Sequence, residues 1–204
     1  MRNHEVVDRF APGPQPSGRA PAPGRLGLVQ AFVNAFWDLG GDGSDEWPDA
    51  AAYGRWLRAR GFGGAAPGED DRARAIALRE ALRDLARRHH DDPGPPPPGA
   101  PELAVLDAAA ARAGATLRVR FDGPPRHEPA GEGPDAALAL VLGVVAEAMA
   151  DGTWSRLKAC PGPHCGWVFY DGSRNRSRQW CSMQICGNRV KGREFRARQR
   201  VRSG

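Results

Sequence analysis

Long apolar runs are scarce in this sequence of 204 residues. The first 25 residues lack the apolar core of a secretory signal, so export is not expected. The most apolar run, residues 136–150, is interrupted by Gly143 and Glu147 and is shorter than the roughly 20 residues that span a bilayer. We therefore predict a cytoplasmic protein without a membrane partner, in which this run is a buried helix.

Lysine and catalytic motifs are also missing from most of the chain. Only Lys158 and Lys191 among the 29 basic residues are lysines, so the abundance of arginine alone is not used to infer a partner. The first 150 residues contain no cysteine, no glycine-rich phosphate loop, no nucleophile elbow and no His-Glu-x-x-His run. His89 and His90 end a predicted exposed helix, where a structural role is favoured. An enzyme is not predicted.

Composition and periodicity divide the chain into three parts. Residues 1–24 carry five prolines and few apolar residues, which predicts a flexible leader. Apolar residues then recur at helical spacing in five segments, residues 26–39, 49–60, 70–90, 101–113 and 135–150. Alternation predicts a strand over residues 116–121 and a weak partner strand after residue 126. Residues 25–152 are therefore predicted to form a mainly helical α+β domain with a small antiparallel sheet.

The charge of the chain is concentrated at its C-terminal end. Residues 1–150 hold 17 basic and 21 acidic residues, a net charge of −4. Residues 151–204 hold 12 basic and 3 acidic residues, a net charge of +9, and all four cysteines. Residues 153–204 are therefore predicted to be a separate basic domain in which the function of the chain should be sought.

The four cysteines form two pairs of equal spacing. Cys160 and Cys165 are five residues apart, and so are Cys181 and Cys186. Two close pairs separated by a hairpin-length insert are typical of a tetrahedral Cys₄ zinc site, so we predict one structural Zn²⁺ held by all four. Unligated or disulfide-bonded cysteines, and a catalytic or iron–sulfur site, are the alternatives. His164 is a substitute ligand, disfavoured because it adjoins Cys165.

Local patterns around the cysteines predict a treble-clef-like zinc finger of a hairpin plus a helix. Residues 167–170 are predicted to be a strand, Asp171 and Gly172 a turn, and residues 177–180 the return strand. The second cysteine pair would lie at the start of the final helix. A segment this short has few apolar residues for a core, so the metal should be needed for folding.

Basic residues recur on two surfaces of this predicted finger. Four arginines at spacings of 4, 3 and 4 would lie within about a 60° arc of the final helix, and three alternate along the return strand. The predicted nucleic-acid contacts are Arg174, Arg176, Arg178, Arg189, Lys191, Arg193, Arg196, Arg198 and Arg200. Glu194 alone interrupts the positive charge from Arg174 to Arg202.

A polyanion is the partner that these charges favour, and double-stranded DNA is the first candidate. One alternative is an RNA-binding or ribosome-associated protein that uses the same charges. Another is a protein-interaction zinc module attached to a small-molecule-binding domain. A homodimer is also expected, because a single small finger covers only a short DNA site.

The motif Cys186-Gly187-Asn188-Arg189 matches the signature of the CGNR zinc finger family, which residues 154–200 resemble as a whole. The upstream region resembles the ABATE domain at Phe32 and Asn34, in WLRARG at residues 56–61 and in LREAL at residues 78–82. The resemblance implies a bacterial, stress-related transcriptional regulator. It also implies a zinc-dependent DNA-binding tail.

Overall fold

Helices dominate the computed structural model, which describes residues 8–37, 44–90 and 99–202, without every side chain of the last helix. The helices are α1 (Leu26–Val33), α2 (Ala50–Arg58), α3 (Glu69–Arg87), α4 (Ala100–Ala113), α5 (Gly133–Ala150) and α6 (Asn188–Arg202). The strands are β1 (Phe36–Trp37), β2 (Ser44–Asp45), β3 (Leu117–Arg120), β4 (Arg126–Pro129), β5 (Leu157–Ala159) and β6 (Val168–Tyr170). Consecutive strands pair antiparallel, β1 with β2, β3 with β4 and β5 with β6. The predicted α+β class is confirmed.

Local sequence explains where several helices begin. Asp49 caps α2, because its carboxylate accepts a hydrogen bond from the Ala52 N–H at 2.7 Å. The three acidic residues that open α3 are favoured by the positive end of its dipole. α5 is long and apolar enough to cross a membrane, but most of it is buried inside the fold, as in a core helix. The buried helix predicted for residues 136–150 is confirmed.

The first helix is shorter than its apolar spacing predicts. α1 ends at Val33, and β1 follows it at Phe36, whereas the spacing predicted a helix as far as residue 39. Arg83 explains the early end, because one of its guanidinium nitrogens donates hydrogen bonds to the carbonyls of Val33 and Phe36 at 2.7 and 2.8 Å. Those carbonyls are therefore satisfied by a side chain instead of by a further helical turn.

The β3–β4 hairpin packs on α5 at Gly143. A Cβ atom at this position would lie 2.5 Å from the Cβ of His127 and 3.2 Å from Leu117. No real Cβ tolerates the first of these distances, so a glycine is required for the hairpin to approach the helix.

Gly143→Ala is expected to lower the free energy of unfolding by about 1–3 kcal/mol, because the hairpin must move away from α5. Urea unfolding followed by circular dichroism measures the change. Gly131→Ala is the matched control, since nothing lies within 4 Å of a Cβ at that turn, and it should change stability by less than about 0.5 kcal/mol. Equal stability of the two variants would contradict the packing argument.

The main hydrophobic core continues from the helical part of the chain into the cysteine-containing part. α1, α2, α3 and α5 supply most of its side chains, among them Phe32, Trp56 and Leu82. Leu157 and Val168, on β5 and β6, are buried in the same core. The β5–β6 hairpin therefore does not fold against the metal site alone.

The N-terminal segment, residues 8–24, lies against both parts of the chain. Ala22 is buried, and its N–H donates to the side-chain oxygen of Gln30 on α1 at 2.7 Å. Ser17 forms a hydroxyl–hydroxyl hydrogen bond of 2.7 Å with Ser182, next to Cys181. The composition of residues 1–24 predicted a flexible leader, whereas the described part of this segment makes specific contacts.

Candidate metal centre

All four cysteines meet in one buried cluster. Their Sγ atoms lie within 4.8 Å of one another, and no cysteine is more than 6% exposed. Cys181 Sγ lies 3.6 Å from the Sγ atoms of both Cys165 and Cys186. These distances are too long for a disulfide and match the edge of about 3.8 Å of a tetrahedron with Zn–S bonds of 2.3 Å.

The electrostatics of the cluster are suited to a cation. Hydrogen bonds from Cys165 and Cys181 lower the pKa of the Cys160 thiol to about 2. The same contacts with Cys160 raise the pKa of Cys165 and Cys181, and burial raises that of Cys186. Without a metal the cluster therefore favours a single thiolate, whereas a divalent cation would stabilise all four. The four buried cysteines support one structural zinc ion, as predicted.

Two turns bring the cysteine pairs together. Between Cys160 and Cys165, a Cβ at Gly162 would lie 3.1 Å from Cys186 Sγ, so a glycine allows the first turn to approach the second pair closely. A single π-helical turn, Met183–Gly187, carries Cys186 directly into α6. Ser182 caps this turn by accepting a hydrogen bond from the Ile185 N–H. The predicted position of the second pair at the start of the final helix is confirmed.

His164 does not belong to this cluster. Its side chain is exposed, whereas the four sulfurs are buried, and its φ of 60° is in the left-handed region. Among the described residues, the four cysteines alone form the metal-binding group.

Side chains from the helical part of the chain cover both outer edges of the β5–β6 hairpin. Asn34 pairs with β6 as a strand would, donating to the Val168 carbonyl and accepting from its N–H, both at 2.8 Å. On the other edge, His89 Nδ1 donates to the Leu157 carbonyl at 2.6 Å, and His90 Nε2 donates to the Ala159 carbonyl at 2.7 Å. Side chains from the helical part therefore occupy hydrogen-bonding positions on both edges of the hairpin beside the metal centre.

The two histidines have a structural role, as predicted, but the end of their helix is not exposed as predicted. His89 packs edge-on against Trp154, with the ring centroids 5.2 Å apart. Burial lowers the pKa of His89, which favours the neutral ring that donates to β5.

Arg83 links the metal-binding turn to the helical core. It is 2% exposed and donates to the carbonyl of Gly166, the residue after Cys165, as well as to the two carbonyls that end α1. Glu80 accepts from its Nε at 2.8 Å and supplies the counter-charge. Burial lowers the pKa of Arg83, although Glu80 opposes the shift.

A buried ion pair organises the loop between β6 and the second cysteine pair. Lys158 and Asp171 are 1% and 0% exposed, and Nζ lies 3.1 Å from the carboxylate. Lys158 also donates to the carbonyls of Arg176 and Arg178, and Asp171 accepts from the Arg178 N–H at 2.9 Å. Burial opposes ionisation, yet hydrogen bonds from Ser173, the Arg178 N–H and Lys158 lower the pKa of Asp171 to about 2.

The return strand predicted over residues 177–180 is wrong. β6 pairs with β5, which precedes the first cysteine, and residues 177–180 are irregular. Arg176 has a φ of 51°, and the polar backbone groups of the loop bond to Lys158 and Asp171, so they are not available to a partner strand. The three loop arginines therefore do not lie along one strand face.

The structure locates the predicted basic contacts in two elements. The loop carries Arg174, Arg176 and Arg178, and all three are exposed. α6 carries the other six, of which four have described and exposed side chains, Arg189, Lys191, Arg193 and Arg196. The side chains of Arg198 and Arg200 lie outside the described part of the helix.

Sequence reasoning missed the polar residues that fix the metal centre in place. Gln30 on α1, Asn34 directly after α1 and Arg83 on α3 are all buried, whereas polar side chains ordinarily face solvent. The signal for Gln30 was its position inside the otherwise apolar sequence of α1, and that for Asn34 was its position directly after it. Arg83 carries no such signal, because its partners are backbone groups distant in sequence.

Comparison with known families finds two matches along the chain. Residues 26–152 match the ABATE family, described as "Putative stress-induced transcription regulator", and residues 156–199 match the CGNR zinc finger. Neither description is that of an enzyme. A search of curated proteins finds no match. The match over residues 26–152 covers more than half of the chain, which therefore belongs to the ABATE family and carries a CGNR zinc finger after its ABATE domain.

Proposed function

We propose that this chain is a zinc-dependent, DNA-binding regulator of transcription in the bacterial cytoplasm. The observation that carries the proposal is a set of exposed cationic side chains on the loop and on α6, held by the zinc finger. Among the described side chains, no carboxylate lies within ion-pair distance of Arg174, Lys191, Arg193 or Arg196. Exposed cationic side chains of this kind are suited to phosphates.

Charge supports a polyanion even after the metal is counted. Four thiolates and one Zn²⁺ carry a formal charge of −2, which lowers the net charge of residues 151–204 from +9 to about +7. The zinc site therefore offsets only a small part of the positive charge.

The shape of α6 favours duplex DNA over RNA. α6 has 15 residues, which is a length of about 22 Å, and a helix of this kind fits the B-DNA major groove. The major groove of duplex RNA is too narrow to admit it. Contacts with bases and phosphates would come from the basic residues of α6, and further phosphate contacts from the loop.

Replacing Lys191, Arg193 and Arg196 with Gln is expected to weaken duplex DNA binding at least tenfold. Three lost phosphate contacts should also reduce the slope of log affinity against log salt by about 2.7. The matched control replaces Arg55, Arg58 and Arg118, three exposed arginines of the ABATE domain, with Gln. Equal DNA affinity of the two triple variants, measured by fluorescence anisotropy, would contradict the proposal.

Selection from random duplexes distinguishes a specific regulator from its rivals. The zinc-loaded chain is expected to enrich a sequence motif, and removal of zinc by a chelator should abolish that enrichment. Preference for structured RNA in direct competition would favour the RNA-binding alternative. Failure to bind either nucleic acid would favour a protein-interaction module.

The homodimer and the small-molecule effector stay predictions. A small effector would fit an apolar cavity of about 170 Å³ between α3, α4 and α5, lined among others by Ala77, Val105 and Leu138. Alanines on α3 and α4 leave this space because their side chains are too short to fill it.

A further inference from the structure

Two adjoining clefts lie where the N-terminal segment crosses the zinc finger. Their volumes are about 240 and 430 Å³, and Arg19, Arg178 and Met183 line both. Most of the other polar lining side chains can donate hydrogen bonds, namely Ser17, Ser177, Gln179 and Gln184. No carboxylate lines either cleft among the described residues, and Cys181, which lines one of them, belongs to the buried metal cluster. The clefts are therefore suited to an anion.

Arg19 reaches the clefts from the segment that was predicted to be flexible. Its Nη2 donates to the Trp180 carbonyl at 2.9 Å, and its guanidinium lies over the Phe169 ring, 4.6 Å from the centroid. These contacts hold the Arg19 guanidinium against the finger, at Trp180, the residue before Cys181.

One side of this guanidinium has no protein partner. Arg19 Nη1 is shielded from solvent and makes no hydrogen bond among the described residues. A buried donor without an acceptor costs free energy, so such an atom calls for a ligand. Burial and the positive charge of Arg178 both lower the pKa of Arg19, which an anion placed between the two arginines would reverse.

We propose that Arg19 and Arg178 bind a phosphate group, and that this group is a backbone phosphate of the DNA held by the finger. The inference rests on the proposed DNA binding and extends it to a residue outside the finger. Guanidinium groups bind phosphate through paired N–H donors, and hydroxyl and amide donors complete such sites. The N-terminal segment then forms part of the DNA interface while Gln15 ties it to Gln30 of α1.

Arg19→Gln tests the site with little disturbance of the fold, because glutamine can still donate to the Trp180 carbonyl. We expect a several-fold loss of duplex DNA affinity and a salt slope lower by about 0.9, the value of one phosphate contact. Arg9→Gln is the matched control. Arg9 lies in the same segment, donates to the Arg60 and Gly61 carbonyls, and is not part of either cleft. It should leave the slope unchanged.

The phosphate could belong to DNA or to a soluble phosphate compound, and titration with inorganic pyrophosphate, followed by tryptophan fluorescence, tests for the second. Both Arg19→Gln and Arg178→Gln should abolish this binding, whereas Arg174→Gln, on the same loop but outside the clefts, should retain it. If Arg19→Gln loses zinc or unfolds, the comparison of Arg178→Gln with Arg174→Gln decides.

The outcomes distinguish this inference from the proposed function. A reduced salt slope in Arg19→Gln supports a DNA phosphate, whereas an unchanged slope with Arg19-dependent pyrophosphate binding would assign the site to a soluble phosphate compound instead. Absence of both effects overturns the inference. If that absence accompanies weakened DNA binding in the α6 triple variant, the DNA-binding proposal stands without it.

Discussion

The Cys181→Ser variant is expected to lose its zinc. Its finger and its ABATE domain should unfold together, at a temperature at least about 10 °C below that of the parent chain. The apparent free energy of zinc binding to such sites, about 10–16 kcal/mol, is as large as the stability of an ordinary domain. Cys181 is fully buried, and its sulfur lies 3.6 Å from two others, so a serine cannot replace it as a ligand. In a chain of this length, each kcal/mol of lost stability lowers the melting temperature by about 2–4 °C, so a loss of several kcal/mol gives the expected shift.

The loss of stability should extend from the finger to the ABATE domain, because the two share a hydrophobic core. Leu157 and Val168 are buried among the ABATE helices, and Asn34 and His89 bond to the hairpin that carries them. When the metal centre opens, these contacts have no fixed partner. Unfolding of the helical part is therefore coupled to unfolding of the finger.

Zinc content by mass spectrometry and melting by circular dichroism measure these effects. His164→Asn is the matched control, since this exposed residue adjoins Cys165 and has a backbone conformation that asparagine tolerates. The control should retain one zinc ion and the parent melting temperature. A Cys181→Ser chain in which the helical part melts at the parent temperature would show that the two parts fold separately.

The helices and the cysteine cluster could be predicted because each depends on residues close together in the sequence. Apolar spacing located α2, α3, α4 and α5 to within a few residues, and the equal spacing of the cysteine pairs predicted one metal site. Short-range patterns of this kind are present in the chain whatever its tertiary fold.

The strand pairing of the finger could not be predicted, because a buried ion pair decides it. Lys158 and Asp171 are 13 residues apart, and both are charged, which favours a surface position for each when the sequence is taken alone. Their burial draws the backbone of the loop away from β6. Lysine, scarce in this chain, suits the position because one ammonium group donates to three separate oxygens.

The contacts between the two parts of the chain were also inaccessible to sequence patterns. Asn34 and Val168 are 134 residues apart, and Arg83 and Gly166 are 83 apart. Each of these contacts joins a side chain to a backbone group, which any residue could supply. The residue type of the partner therefore carries no information, and only the fold shows that the two sites meet.

Arg83→Met is expected to lower the free energy of unfolding by about 3–5 kcal/mol. The buried guanidinium satisfies the carbonyls of Val33, Phe36 and Gly166 and pairs with Glu80. Methionine fills much of the same volume but leaves the three carbonyls without this donor, and leaves Arg79 as the remaining partner of the Glu80 carboxylate. Because Gly166 follows Cys165, the variant should also release zinc to a chelator faster than the parent chain.

Arg87→Met is the matched control for this position. Arg87 lies one turn further along α3, its side chain is 45% exposed, and its ion pair is with Asp84 on the same helix. Exposed pairs of this type contribute less than about 1 kcal/mol, so the control should remain close to the parent in urea unfolding and in zinc release. If both variants lose the same stability, the buried guanidinium does not connect the metal centre to the ABATE core. If Arg83→Met loses stability with unchanged zinc release, its contact with Gly166 does not restrain the cysteine turn.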